Sequence, residues 1–275
     1  MVTGKKLRFI VQGLLSLLVV ISLAACGKSQ GDDSVKRIQD KGTITMGTSA
    51  DAPPFEYISV QNGKKKIVGF DVLLANKIAD ELGVKLKIEN VSFPALVTEL
   101  QDKKVDMVLA SMVATPARKK VVSFSDTYHE GSNVLLVRKA DANKYQKISD
   151  LNGKSIGAQQ GSAKEQVAKT QLSKAHLVTE SGLGTLTTEL KVGKIDGVIL
   201  GAEDSKAYTL KYPETYATTK IKLKTTSDIS AVSVGMNKDD VELKKKVNQV
   251  IQRLKKSGEL DQMLEQAQKQ QLANK

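Results

Sequence analysis

The chain has 275 residues, 40% hydrophobic and 26% charged. That suits a globular protein of one large domain or two, and excludes a disordered chain or a multi-span membrane protein. One cysteine excludes a disulfide scaffold within the chain, and Cys26, His129 and His176 together fall short of the four ligands of a structural zinc site. The formal charge is +12, yet aromatic residues are 4%, Trp is absent and the 42 basic residues are 37 Lys and 5 Arg, a composition that argues against nucleic acid as a partner.

Lys5, Lys6 and Arg8 precede an apolar run over 9–23. Fifteen residues are short for a membrane span of ~20 and fit the core of a secretory signal. The run leads into Leu23-Ala24-Ala25-Cys26, which resembles a bacterial lipobox built on the chain's one cysteine. The resemblance implies a signal peptide over 1–25, cleavage before Cys26, and a diacylglyceryl thioether plus N-acyl chain (palmitate-type lipid) there. Two or more acyl chains anchor firmly where one does not. The alternative is a plain signal peptide with an accidental thiol. The mature chain would carry 39 − 30 = +9. Residues 26–35 are polar and predict a flexible tether.

Beyond it, strands and helices alternate. Residues 42–48 predict a strand. Gly69-Phe70-Asp71 opens a helix with Asp71 as cap, Leu74, Ile78 and Leu82 on one face, and Gly83 just past its end. Val84, Leu86 and Ile88 alternate as a strand. Pro94 fits the first turn of a helix carrying Leu96, Val97 and Leu100. Residues 105–110 read as an apolar strand broken by Asp106. Thr115-Pro116 supplies an N-cap and a first-turn proline. After residue 150 the pattern restarts: a strand over 155–159, a capping-box spacing from Ser162 to Glu165, a strand opened by His176, and a buried strand over 195–200. Residues 241–270 are helical in pattern, interrupted at Gly258. The alternation predicts an α/β fold with parallel sheets. Residues 98–109 echo residues 188–199 at a constant offset of 90. Two lobes built alike would produce this, as would a chance likeness of two helix–strand units.

Several segments in order resemble the solute-binding lipoproteins of ABC importers for polar amino acids. They are Gly47-Thr48-Ser49-Ala50-Asp51-Ala52-Pro53-Pro54-Phe55-Glu56, Gly69-Phe70-Asp71, Val105-Asp106 through Thr115-Pro116-Ala117-Arg118, Phe124-Ser125-Asp126-Thr127-Tyr128, Gly157-Ala158-Gln159-Gln160-Gly161-Ser162 and Lys194-Ile195-Asp196. The resemblance spans about 36–270. It implies a two-lobed, type II periplasmic-binding-protein-like fold, each lobe a mixed sheet flanked by helices, with a ligand cleft between. Lobe 1 would take 36–132 and 229–275, and lobe 2 would take 133–228, with crossings near 131–134 and 227–231.

The resemblance also assigns a cleft. A ligand carboxylate taken out of water needs compensation, and the fork of an arginine supplies two parallel hydrogen bonds. Arg118 matches the family's carboxylate-binding arginine; alternatively it is a solvated helix-start residue. Ser111 and Val113, with Ala110 beside them, match positions whose backbone N–H groups hold the same carboxylate. Ser162 matches the second lobe's contribution at a helix N-terminus, where it is also a natural N-cap. Gln159 faces the same cleft. Phe93 matches the ring that packs on the ligand's stem, or else is core. Asp51 and Ser49 belong to the same cleft. Three positions depart from the family: Ala52 replaces a ring, Val113 lacks a hydroxyl, and Gly201 stands where relatives carry the acid that holds the ligand's ammonium. Glu203, or Asp204, is the nearest substitute. These departures point to a ligand bulkier than glutamine, such as cystine. Ser49, where several binders of basic amino acids carry an acid, weakens a lysine or arginine ligand.

The expected function is therefore the substrate-binding component of an ABC importer. It would be a lipid-anchored monomer on the extracytoplasmic face of the cell membrane, delivering a free amino acid to permease and ATPase subunits. No cofactor or metal is expected, and no nucleic acid. The two histidines come with no nucleophile-and-base constellation, which weighs against an enzyme of the same fold. An adhesin remains as the alternative, or as a second role: lysine clusters at 64–66, 119–120, 244–246 and 255–256 would attract polyanions of host or envelope.

Overall fold

In a computed structural model, residues 32–61 and 63–273 are described. The expected signal peptide, Cys26 and the tether up to residue 31 lie outside them. The chain divides at residue 33, and everything below belongs to the unit beginning at Ser34. Its first helix, α1 (Ser34–Lys41), takes in two residues expected as tether.

Strand β1 (Thr43–Thr48) leads into a small antiparallel meander of β2 (Asp51–Ala52), β3 (Glu56–Gln61) and β4 (Lys64–Val68). Helix α2 (Phe70–Leu82) follows, closed by Gly83 in a left-handed cap as the sequence predicts. Its start differs from expectation. The cap position is Gly69, at φ 129°, where a Cβ would meet the Phe55 carbonyl oxygen at 2.3 Å; only glycine fits there. Asp71 is not a cap. It lies inside the helix, fully buried, and takes the Ser111 N–H at 2.8 Å and the Tyr128 hydroxyl at 2.7 Å.

Strand β5 (Lys85–Asn90) pairs parallel to β1. A 3-10 turn over Phe93–Ala95 holds Pro94 and runs into α3 (Leu96–Gln101). The apolar run over 105–110 keeps only two ladder residues, β6 (Met107–Val108), because the chain turns away at Ser111. Helix α4 (Pro116–Lys119) is capped by Thr115, whose hydroxyl accepts from the Arg118 N–H at 3.3 Å. Strand β7 (Ser123–Glu130) ends the first passage through this lobe.

Gly131-Ser132 carries the chain to the second lobe. There follow β8 (Asn133–Arg138), β9 (Ser155–Gln159), α5 (Ala163–Gln171), β10 (His176–Glu180), α6 (Leu183–Lys191), β11 (Gly197–Gly201), α7 (Ala202–Lys211) and β12 (Tyr216–Thr218). The chain returns through α8 (Ser227–Ser230) into β13 (Ala231–Met236), and ends in α9 (Val241–Ser257) and α10 (Glu259–Ala273), parted at Gly258.

The two sheets have one topology. The first runs β5-β1-β6-β13-β7 and the second β10-β9-β11-β8-β12. In each, three parallel strands are followed by one reversed strand and one reversed again, so both sheets are mixed rather than purely parallel. The reversed strand in each case is the one entered from the other lobe. The echo at offset 90 marks equivalent units, α3–β6 and α6–β11. Its two aspartates do one job: Asp106 accepts the Thr45 N–H at 2.8 Å, and Asp196 accepts the Ser155 N–H at 3.0 Å. Each closes the gap between the first and third parallel strands of its sheet. Both faces of each sheet carry an apolar core, the largest formed where α2, α9 and α10 cover β1 and β13 with Ile44, Leu74, Ile78, Val234, Val250 and Ile251.

Candidate ligand-binding cleft

Between the lobes lies a narrow cavity, about 400 Å³ counting all the space between its lining atoms. The first lobe lines it with Ala52, Phe93, Ala110, Ser111, Val113 and Arg118. The second contributes Gln159, Ser162, Ala163, Lys164, Leu183, Ile199, Leu200, Gly201 and Asp204.

Arg118 is set by its short helix. The Thr115 cap and Pro116 fix the backbone, and the guanidinium reaches Val113 O at 2.7 Å and, across the cleft, Gly161 O at 2.9 Å. Its central carbon stands 5.2 Å from the centroid of the Phe93 ring. Burial lowers its pKa to about 10, so it stays charged at neutral pH. Val113 forms a bridge with Val232 flanked by Ala114 N–Ala231 O and Ser233 N–Met112 O. In such a pair its own N–H and C=O point away from β13. The C=O meets Arg118, and the N–H is presented on that side.

On the facing wall, Asp204 sits in the first turn of α7, 3% exposed, with Oδ1 lacking any hydrogen-bond partner. Burial pushes its carboxyl up to about 7; Lys164 opposes the shift, while Glu203 and Asp51 add to it. A Cβ on Gly201 would lie 2.6 Å from Asp204 Oδ2. The carboxylate of Asp204 thus fills the space that a side chain at 201 would enter.

The remaining expected residues divide. Phe93, Ala110, Ser111, Val113, Arg118, Gln159 and Ser162 all line the cavity. The backbone N–H of Ser111 is nevertheless spent on Asp71, which holds Ser111 at φ 46°; the expectation that it is free for a ligand is corrected. Ser162 caps α5, accepting from Glu165 N–H at 3.3 Å and donating to Gln159 O at 2.7 Å. Gln159 donates to Ser181 O at 3.1 Å. Asp51, Ser49 and Glu203 stand outside the lining. Asp51 bridges the lobes instead: its Oδ2 accepts the Leu183 N–H at 2.7 Å, at the open start of α6, and its Oδ1 lies 3.3 Å from Ser49 Oγ. Glu203 faces an adjoining cavity toward the crossover strands, 3.4 Å from His129 Nε2. Burial alone would raise its carboxyl, but His129 holds it below the ordinary value.

Sequence reasoning passed over Lys164 and Leu183 and offered Asp204 only as a neighbour of Gly201. An acid in a first helical turn reads as an ordinary dipole partner, so position alone carried little signal. Glu56 is buried against Asp71; burial first, then that neighbour, raises its carboxyl well above the usual range. Among the described residues no group of three or more His, Cys, Asp or Glu could hold a metal ion, and no helix is long and apolar enough to cross a membrane.

The description "Bacterial extracellular solute-binding proteins, family 3" matches residues 44–269. The chain is 33% identical to the arginine-binding extracellular protein ArtP of Bacillus subtilis, over 91% of this chain and 94% of that protein. It is 25% identical to the L-cystine-binding protein TcyJ of Escherichia coli, over 92% and 94%. Among solved structures, an amino acid ABC transporter substrate-binding protein of Streptococcus pneumoniae bound to L-arginine superposes with a TM-score of 0.83 at 39% identity, covering 86% of this chain and 98% of that one.

Proposed function

The chain belongs to the bacterial extracellular solute-binding proteins, family 3, and we propose that it is the receptor subunit of an ABC importer for a free amino acid. It binds its solute and does not convert it; the fold is that of the type II periplasmic binding proteins. It works on the extracytoplasmic side of the membrane, held there as a monomer by lipid on Cys26. The relatives lend no support to the adhesive alternative.

The reading rests on Arg118 and Asp204, opposite charges on facing walls of one cavity. Arg118 has five N–H donors, of which the two backbone carbonyls engage two. The others receive the ligand's α-carboxylate, with the Val113 N–H beside them. Asp204 Oδ1 takes the α-ammonium, doing at a shifted position what relatives do with an acid at 201. Phe93 packs against the aliphatic stem. Because Arg118 also holds Gly161, carboxylate binding and lobe closure share one side chain. The closed receptor docks on a permease, which opens it. ATP is spent by another subunit, since the chain has no Gly-x-x-x-x-Gly-Lys-Ser/Thr loop.

A thermal melt of residues 27–275 against the common amino acids and cystine tests the reading. At 100 times its Kd a ligand adds about 2.7 kcal/mol, or roughly 5–10 °C for a chain of this size. At least one amino acid should produce that shift, and Arg118→Ala should abolish it. Wild-type protein that responds to no amino acid would overturn the reading.

A further inference from the structure

Lys164 is the one charge of the cleft that carboxylate and ammonium capture leaves unused. It is the second residue of α5, immediately after the Ser162 cap, and its side chain enters the cavity of Arg118 and Asp204. It also lines the adjoining cavity of about 280 Å³ toward the crossover. Ser111, Gly201 and Asp204 share that dividing wall with it. The Lys164 side chain makes no hydrogen bond or ion pair among the described residues, although Asp204, Arg118, Glu56 and Glu203 are close enough to influence its charge. Burial lowers its pKa; the nearby Asp204 opposes that shift and Arg118 adds to it, yet no acceptor stands within hydrogen-bond reach of the ammonium. Asp204 Oδ1, close by, is equally bare. The two groups feel one another's charge without a hydrogen bond between them, and both line the cavity.

A ligand that meets all three charges has one anion for Arg118, one cation for Asp204, and a second acceptor for Lys164. We propose that Lys164 determines specificity, selecting amino acids whose side chain carries its own carboxylate. The inference rests on the amino-acid reading above. The α-carboxylate sits at Arg118, the α-ammonium at Asp204, and the side-chain carboxylate turns past Gly201 to Lys164. The second cavity, which Lys164 and Gly201 also line, lies on that path. A cationic side chain following the same path meets a like charge in a dehydrated space, which is costly. This chain therefore parts from the arginine-bound relative in ligand, while keeping its fold.

The test is calorimetric titration of residues 27–275, wild type and Lys164→Gln, with L-aspartate, L-glutamate, L-cystine and L-arginine. Gln keeps length and a donor but removes the charge, and an unchanged melting temperature without ligand shows that the variant is folded. Wild type should bind one of the three carboxylate-bearing ligands at least tenfold tighter than L-arginine. Lys164→Gln should weaken that ligand tenfold or more and narrow or reverse the preference over arginine. Tighter binding of L-arginine by wild type, or an unchanged preference in Lys164→Gln, overturns the proposal while leaving the amino-acid receptor intact. Binding of no amino acid at all overturns both.

Discussion

Asp204 is the residue where stability and binding oppose one another. Its carboxyl is pushed up to about 7 from an ordinary 3.8, chiefly by burial. The folded state therefore holds this proton more tightly than the unfolded chain does. The resulting stabilisation is full below about pH 4 and is lost as pH rises through about 7, amounting to about 4 kcal/mol at most. Glu56 and Asp71 are raised in the same direction, again first by burial. Capturing an ammonium requires the ionised form. Affinity should accordingly fall by about tenfold per pH unit below about pH 7. Asp204→Asn should melt higher than wild type at pH 8 without ligand, bind the amino acid far more weakly, and lose most of that pH dependence. Calorimetric titrations between pH 5.5 and 8.5 check it; an Asn variant with wild-type affinity at pH 8 would exclude Asp204 as the ammonium partner.

At the scale of elements, the paired aspartates of the two lobes make a sharp comparison. Asp106 and Asp196 each donate a backbone N–H to the neighbouring strand, at 2.8 and 2.7 Å, and accept one back through the carboxylate. Replacing either by Ala leaves a strand N–H unpaired, a loss of about 1–3 kcal/mol. Both variants should melt several degrees lower, and the Asn variants, which keep an acceptor, should lose less; equal melting of Ala and wild type would contradict the role. Other elements were legible for local reasons. Thr115-Pro116, Gly83 and Gly258 announce helix ends because caps are decided within a few residues. Asp71 was misread for the opposite reason: its partners Ser111 and Tyr128 lie 40 and 57 residues away, and nothing local separates a buried helical aspartate from a cap. The meander β2–β4 carries no strong alternation in its lysine-rich third strand, and the strand expected over 105–110 shrank to two residues because length in a ladder depends on its neighbours.

For the whole molecule, the proposed function depends on how the two lobes meet at one cavity, and that relation is what the sequence conveys least. Arg118 was legible because the Thr115-Pro116-Ala117-Arg118 segment resembles that of the solute-binding family. Lys164 was not, because whether a lysine in a first helical turn faces solvent or a cleft is decided by the opposite lobe. Asp51 shows the same limit: it was expected at the ligand, and it ties β2 to the start of α6 across the cleft. Asp51→Ala should weaken amino-acid binding by about 5- to 30-fold, the worth of one charge-assisted bond in the closed state. The loss should come mainly through faster release, seen by stopped-flow, with ligand preference unchanged; an altered preference would place Asp51 at the ligand after all. The central claim, that Arg118 holds the carboxylate and Asp204 the ammonium, is tested most directly by titrating the best ligand beside two analogues, one lacking the carboxylate and one lacking the amino group, into wild type, Arg118→Ala and Asp204→Asn. Each deletion should cost wild type at least a hundredfold, while Arg118→Ala should scarcely notice loss of the carboxylate and Asp204→Asn loss of the amino group. Penalties that remain at full size in the matching variants would show that other groups hold the two ends, and would contradict the account.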